Sequence, residues 1–257
     1  MTTLAFKPAT KTQARLRLGL VGPSGSGKTY TALRVATALA GETGKVAVID
    51  TEHGSASKYA DEFSFDVLEL ETFAPLTYVA AIRAAEGAGY DVVVIDSLTH
   101  AWTGKEGALE QVDNAASRNR GNSYVAWRDV TPQHNALIDA MVGSRIHVIA
   151  TMRSKTEYIL EERNGKQVPR KVGMAPVQRD GMEYEFDIVG DLDHDHRLVV
   201  TKTRARALDN AVILLPGEEF AETLRGWLTD GAPAPELTAP VPAPEPDTPG
   251  PRPMQAR

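Results

Sequence analysis

The first strong pattern along the chain is an apolar run, Leu16 to Val21, that breaks into a glycine-rich turn and resumes as the amphipathic, alanine-rich stretch TALRVATALA. That order predicts strand, loop and helix. Four further short apolar runs follow, Val46 to Ile49, Val92 to Ile95, His147 to Ala150 and Leu198 to Thr201, with helical patterns between them. Short runs separated by helices predict an α/β fold with a mostly parallel, twisted sheet flanked by helices. Two extended arms around Asn164-Gly165, in TEYILEERNGKQVPRKV, predict an inserted β-hairpin, because both turn residues tolerate positive φ. In GEEFAETLRGWL, Phe220, Leu224, Trp227 and Leu228 share one helical face, so the folded unit is expected to close near Thr229.

Beyond that point the pattern stops. From Gly231 proline recurs every few residues, removing backbone donors, and a disordered Pro-rich tail is expected over 230–257. The opposite end, 1–15, reads as a basic arm: the first 20 residues hold Lys7, Lys11, Arg15 and Arg17 and no acid. One domain is therefore expected over 16–229. At 257 residues and 42% apolar composition the chain can bury a sizeable core, and its formal net charge of −6 is no global signature of nucleic-acid binding. No apolar run approaches the ~20 residues of a membrane span and the N-terminus lacks a signal-peptide pattern, so the expected location is the cytoplasm, with no membrane partner. The absence of cysteine removes disulfides and thiolate metal sites from consideration.

The chemistry concentrates at the strand ends, where ligands of parallel sheets gather. Gly22, Gly27, Lys28 and Thr29 satisfy G-x-x-x-x-G-K-[ST] between a strand and a helix, the context a phosphate-binding loop needs. Gly22, Pro23, Ser24, Gly25, Ser26, Gly27, Lys28, Thr29 and Tyr30 form the expected triphosphate cradle. Its backbone N–H groups point at β- and γ-phosphates; Lys28 would bridge those phosphates and Thr29 would ligate Mg²⁺. Asp96, ending the apolar run VVVI, has the Walker B arrangement of a strand-tip carboxylate in the magnesium shell. Glu52, two residues past the neighbouring strand, can orient or deprotonate an attacking water, or be an ordinary loop acid.

VIDTEHGSASKYA resembles the RecA segment that carries the catalytic glutamate, and VVVIDSLTHAW resembles the RecA Walker B strand with its following serine. Together with MRSKTEYILEERNGKQVPRKVGMAPVQRDGMEYEFDIVGDLD and TKTRARAL, the chain over about 16 to 208 resembles the RecA-like ATP-binding proteins of bacteriophages and prophages, some of which are single-strand DNA annealing recombinases. The resemblance implies a RecA-like P-loop ATPase using ATP and Mg²⁺, with Glu52 activating water and Ser97 in support. It implies single-stranded DNA as partner, a homo-oligomer (ring or filament), a bacterial host cytoplasm, and a single-strand DNA-binding protein as a further candidate partner. It also implies that Lys202 and Arg204 reach the nucleotide of an adjacent subunit. Where RecA carries a glutamine sensor this chain has Met152, leaving Thr151, Arg153 and Lys155 as candidates. A ring-forming DNA motor of helicase or packaging type, and a non-hydrolysing assembly factor, are the alternatives.

The hairpin follows that strand, where RecA-like proteins contact DNA. Arg153, Lys155, Arg163, Lys166, Arg170, Lys171 and Arg179 stand against Glu157, Glu161 and Glu162, which suits phosphate contacts, with Tyr158 available to stack on a base. A merely solvated hairpin has the same composition. Arg118, Arg120, Tyr124, Trp127 and Arg128 form a second basic-aromatic group, in which Trp127 is as readily core as platform. DLDHDHR, from Asp191 to Arg197, has metal-binding residue types but the alternation of an exposed turn. FKPA, at Phe6 to Ala9, resembles the Phe-x-x-Ala motif by which eukaryotic recombinases dock on a neighbouring subunit.

Overall fold

The computed structural model describes residues 14–118, 121–163 and 166–232, with the side chains of 156–163 and 166–174 outside the description. The basic arm before Ala14, FKPA within it, Arg120 and the tail from residue 233 lie outside the described residues.

The chain runs β1 (Arg17–Gly22), α1 (Lys28–Ala40), β2 (Val46–Asp50), β3 (Asp66–Glu69), α2 (Pro75–Gly87), β4 (Val92–Asp96), α3 (His100–Thr103), α4 (Ala108–Arg118), α5 (Ser123–Val142), β5 (His147–Arg163), β6 (Lys166–Pro176), β7 (Ile188–Leu192), β8 (Arg197–Thr203), β9 (Val212–Leu214) and α6 (Glu218–Thr229). The strands lie side by side as β3-β2-β4-β5-β1-β7-β8-β9. Pairing is parallel from β3 to β7 and antiparallel from β7 through β9. The architecture is the α/β one expected, a mostly parallel sheet between helices. All five expected strands form.

Both faces of the sheet are covered, which is why its central strands read as unbroken apolar runs. In β4, Val92 and Val94 join the cluster under α1 and α6 with Leu20, Leu33, Phe220 and Leu224. Val93 and Ile95 face the other way, against Ile82 of α2 and Leu137 of α5. Phe220, Leu224 and Leu228 seal the last helix on the core, with Trp227 at the margin.

Three further strands were not expected from the sequence. β3 is exposed along its whole length because it forms an edge. β7 has Gly190 in its middle, where an added Cβ would stand 2.4 Å from a Leu198 methyl, and β9 is three residues long.

β5 is the structural bridge to the hairpin. Its first half pairs with β4 and β1; from Ser154 outward it pairs only with β6, from Ser154↔Pro176 to Arg163↔Lys166. The arms are paired out to Arg163 and Lys166, and Asn164-Gly165, where the turn is expected, lie outside the described residues. The outer arm of ten residues spans roughly 33 Å at strand rise.

Candidate nucleotide site

The loop between β1 and α1 is shaped by two glycines. Gly25 and Gly27 sit at φ +80 and +87, and Gly27 caps α1 with no side chain of its own, so the first N–H groups of the helix are left to a ligand. At Gly22 a Cβ would lie 2.5 Å from Ser26 Oγ and 2.6 Å from the Leu192 carbonyl, so β1 can turn here only as glycine. The Lys28 ammonium donates to the Pro23 carbonyl at 2.8 Å, across the loop. Burial lowers its pKa while Asp96 and Glu52 oppose that shift, which marks an ammonium partly withdrawn from water and facing two carboxylates.

β4 delivers Asp96 to the floor. Its carboxylate is 2% exposed and accepts hydrogen bonds from the Thr29 hydroxyl at 2.7 Å and from the Thr151 hydroxyl of β5. Burial raises its pKa and the two hydroxyls resist the rise. The donor set is one carboxylate and two hydroxyls, all hard oxygens beside a lysine, and it fits Mg²⁺. Ser26 Oγ and Ser97 Oγ are buried with no hydrogen-bond partner among the described residues, leaving polar atoms at both rims of this floor. The Asp96–Ser97 peptide is cis.

Glu52 stands beside this floor because Asp50 folds the loop after β2. Asp50 accepts the N–H of Glu52 at 2.6 Å and that of Ala56 at 3.0 Å. The Glu52 carboxylate is held by Arg153, Nε at 3.1 Å and Nη2 at 2.9 Å. Among the three sensor candidates the structure divides the work: Thr151 binds Asp96, Arg153 binds Glu52, and Lys155 is exposed further out. Met152, at the position of the RecA glutamine, is fully buried in the core.

The hairpin stem is fastened to the same region. Arg153 N–H donates to Thr99 Oγ1 at 2.9 Å, Val177 N–H to the Arg153 carbonyl at 2.7 Å, and the buried Gln178 Nε2 to the Leu98 carbonyl at 3.0 Å. Both strands of the stem thus end on the loop that follows Asp96. Tyr158, Arg163, Lys166, Arg170 and Lys171 have their backbone in β5 and β6, and their side chains lie outside the description.

The DHDHR turn has a different role from metal binding. Arg197 pairs with Asp193 and Asp195 at 2.9 Å each, using those acids to close the turn, and no metal-binding group of three or more such side chains occurs among the described residues. His196, at φ 58, is presented to the phosphate loop, where its Nδ1 contacts the Ser26 carbonyl at 3.1 Å. Nothing in the sequence pattern announces this contact. A cavity of about 370 Å³ opens there from Gly25 and Gly27, lined by Tyr30, Arg34, Tyr59, His196, Leu215 and Pro216. Asp191, in β7 beside Val21, has its pKa pushed up to about 6 by burial.

Lys202 and Arg204 separate. β8 ends at Thr203, and the Lys202 ammonium donates within its own chain to the Glu183, Tyr184 and Phe186 carbonyls. Arg204 stays largely exposed, 3.6 Å from Asp187. In the second basic-aromatic group, Trp127 stacks on Trp102 at 5.6 Å inside a small cluster, while Tyr124 is 82% exposed.

A phosphate-binding loop at the tip of β1, a buried carboxylate at the tip of β4 and a parallel sheet with β5 between those strands define a P-loop ATPase domain. The chain belongs to the AAA domain family, whose profile matches residues 14–211. Among solved structures it is similar to a KaiC-like protein from the hyperthermophilic archaeon Pyrococcus horikoshii OT3, at 14% identity over 74% of this chain and 79% of that one, with a TM-score of 0.38. No curated protein matches the sequence. Among the described residues no helix is long and apolar enough to cross a membrane.

Proposed function

We propose that the protein hydrolyses ATP and binds single-stranded DNA through its hairpin, acting in annealing or recombination of the phage RecA-like type. Arg153 is the observation behind this reading: its side chain holds Glu52 and its backbone begins the hairpin stem, so one residue belongs to both sites. The β- and γ-phosphates rest on the N–H groups of the loop and the start of α1, and Lys28 exchanges the Pro23 carbonyl for phosphate oxygens. Thr29 and Asp96 would hold Mg²⁺, which would supply charge neutralisation for the transferring phosphoryl group. Glu52 orients the attacking water and accepts its proton. The cavity beside His196 has the volume of a small-molecule pocket and takes the nucleoside; the choice of adenine follows from the family resemblance.

DNA bound along the hairpin strains or frees the Arg153–Glu52 pair, and this would make turnover respond to DNA. Replacing Arg163, Lys166, Arg170 and Lys171 by alanine tests the assignment. Single-stranded DNA affinity should fall and its log–log salt slope flatten by about 0.7 for each phosphate that is no longer neutralised, with basal ATPase retained. An unchanged slope returns the hairpin to a solvated surface feature.

A further inference from the structure

The His100 ring makes a close polar contact beside the glutamate loop. It opens α3 four residues past Asp96, half-buried, tilted over Phe73 with centroids 5.1 Å apart. Its Nδ1 lies 2.7 Å from Thr51 Oγ1. Thr51, the residue before Glu52, is buried and already tied to the end of β4. Its N–H donates to the Asp96 carbonyl at 2.8 Å, and its hydroxyl accepts the Ser97 N–H at 2.8 Å. The hydroxyl has one proton and three candidate acceptors, the Ser97 carbonyl at 3.2 Å, His100 Nδ1 at 2.7 Å and the buried Tyr78 phenol oxygen, whose own proton points to the Ser97 carbonyl. The shortest contact, to His100, takes the proton when the neutral imidazole is the Nε2–H tautomer, which leaves Nδ1 as an acceptor.

We infer that His100 is a positioning residue: it fixes the Thr51 hydroxyl and, through Thr51, the backbone from which Glu52 projects toward the attacking water. The inference rests on the reading of Glu52 as the residue that orients that water. Protonation would reverse the contact, because Nδ1–H must then donate to Thr51 Oγ1 and turn the hydroxyl proton toward the Ser97 carbonyl. The charged groups around the ring are Arg153 and His53, which disfavour a second cation, and Glu52 and Asp50, which favour it; burial is the largest influence and keeps the ring neutral. Near neutral pH the ring is therefore neutral, and its Nε2–H tautomer gives the clamp its Thr51-to-His100 form.

The experiment is steady-state ATPase of the full chain with Mg-ATP for His100→Ala, His100→Asn and His100→Gln, with thermal melts alongside. An asparagine amide reaches the place of Nδ1, whereas glutamine places its amide farther out. His100→Ala should lower kcat roughly 10- to 100-fold with KM changed less than about threefold, since misplacing a reacting group costs rate rather than ground-state binding. His100→Asn should recover most of the rate and His100→Gln should not. The wild type should lose kcat on the acid side as the ring titrates, a limb missing from His100→Asn. Wild-type kcat in His100→Ala overturns the inference, as does an equal loss in all three variants that tracks melting temperature. Should His100→Ala not fold, Thr51→Val with His100→Asn decides: unaltered turnover in Thr51→Val overturns the inference equally. Normal hydrolysis by Glu52→Gln defeats the reading of Glu52 itself; an inactive Glu52→Gln beside a fully active His100→Ala defeats only the positioning role.

Discussion

Thr151→Val deletes one hydroxyl from the magnesium floor and little else. Thr151 is fully buried in β5 opposite Leu20, and valine fills the same volume in the same strand. What disappears is the donor to one oxygen of Asp96, whose other oxygen keeps Thr29. A hydrogen bond to a charged acceptor contributes about 1.5–3 kcal/mol, and the carboxylate is too buried for water to replace it freely. For a folded unit of this size each kcal/mol corresponds to about 2–4 °C, so the melting temperature without Mg²⁺ should fall by roughly 3–12 °C. Asp96, already pushed up by burial, loses one of the two hydroxyls that resist the rise. Ionised Asp96 is the form that binds a cation, so the Mg²⁺ concentration giving half-maximal ATPase should increase, and increase more at acid pH than at neutral pH. Thr151→Ser is the control: it keeps the donor, loses a buried methyl at a cost of about 1 kcal/mol, and should retain the wild-type Mg²⁺ midpoint. The measurements are differential scanning fluorimetry without nucleotide and a Mg²⁺ titration of turnover. A Thr151→Val protein with unchanged melting temperature and unchanged Mg²⁺ midpoint would rule out this role for the hydroxyl.

His147, at the start of β5, accepts the Leu16 N–H on Nδ1 at 3.0 Å, and burial with Arg15 and Arg17 nearby lowers its pKa to about 4. The native state then binds fewer protons than the unfolded chain between about pH 4 and 6.5, so stability rises with pH across that window. This one group should lower stability by about 2–3 kcal/mol on going from pH 7.5 to 4.5; urea midpoints of His147→Asn should lack that component, and an identical acid dependence would contradict it. Arg204, largely exposed though 3.6 Å from Asp187, is the candidate for the proposed action on a neighbouring subunit, since the Lys202 ammonium is engaged by its own chain's carbonyls. Arg204→Ala and Lys28→Ala subunits, each inactive alone, should recover partial ATPase when mixed, and no recovery despite demonstrated co-assembly argues against action in trans.

The strands of the parallel core and the phosphate loop were legible because each depends on local pattern. Apolar runs buried on both faces mark β1, β2, β4 and the inner part of β5, and glycines at fixed offsets mark the turn into α1. Edge strand β3 was illegible for the complementary reason, since exposed side chains impose no periodicity. Asp96 follows from its strand, whereas the pairing of Glu52 with Arg153 joins residues 101 positions apart and leaves no trace in either segment. His196 was hidden in a turn whose acids looked like ligands; only the folded turn shows them consumed by Arg197. Trp127 could not be assigned to core or surface without Trp102 stacked on it.

In the proposed mechanism Lys28 grips the phosphates while Glu52 serves the chemical step. Single-turnover hydrolysis measured beside equilibrium ATP binding in Lys28→Ala and Glu52→Gln separates the two roles. Lys28→Ala should lose nucleotide binding; Glu52→Gln should bind ATP like the wild type and hydrolyse it roughly 10²- to 10⁴-fold more slowly. A Glu52→Gln protein that hydrolyses ATP at the wild-type rate contradicts this division of roles.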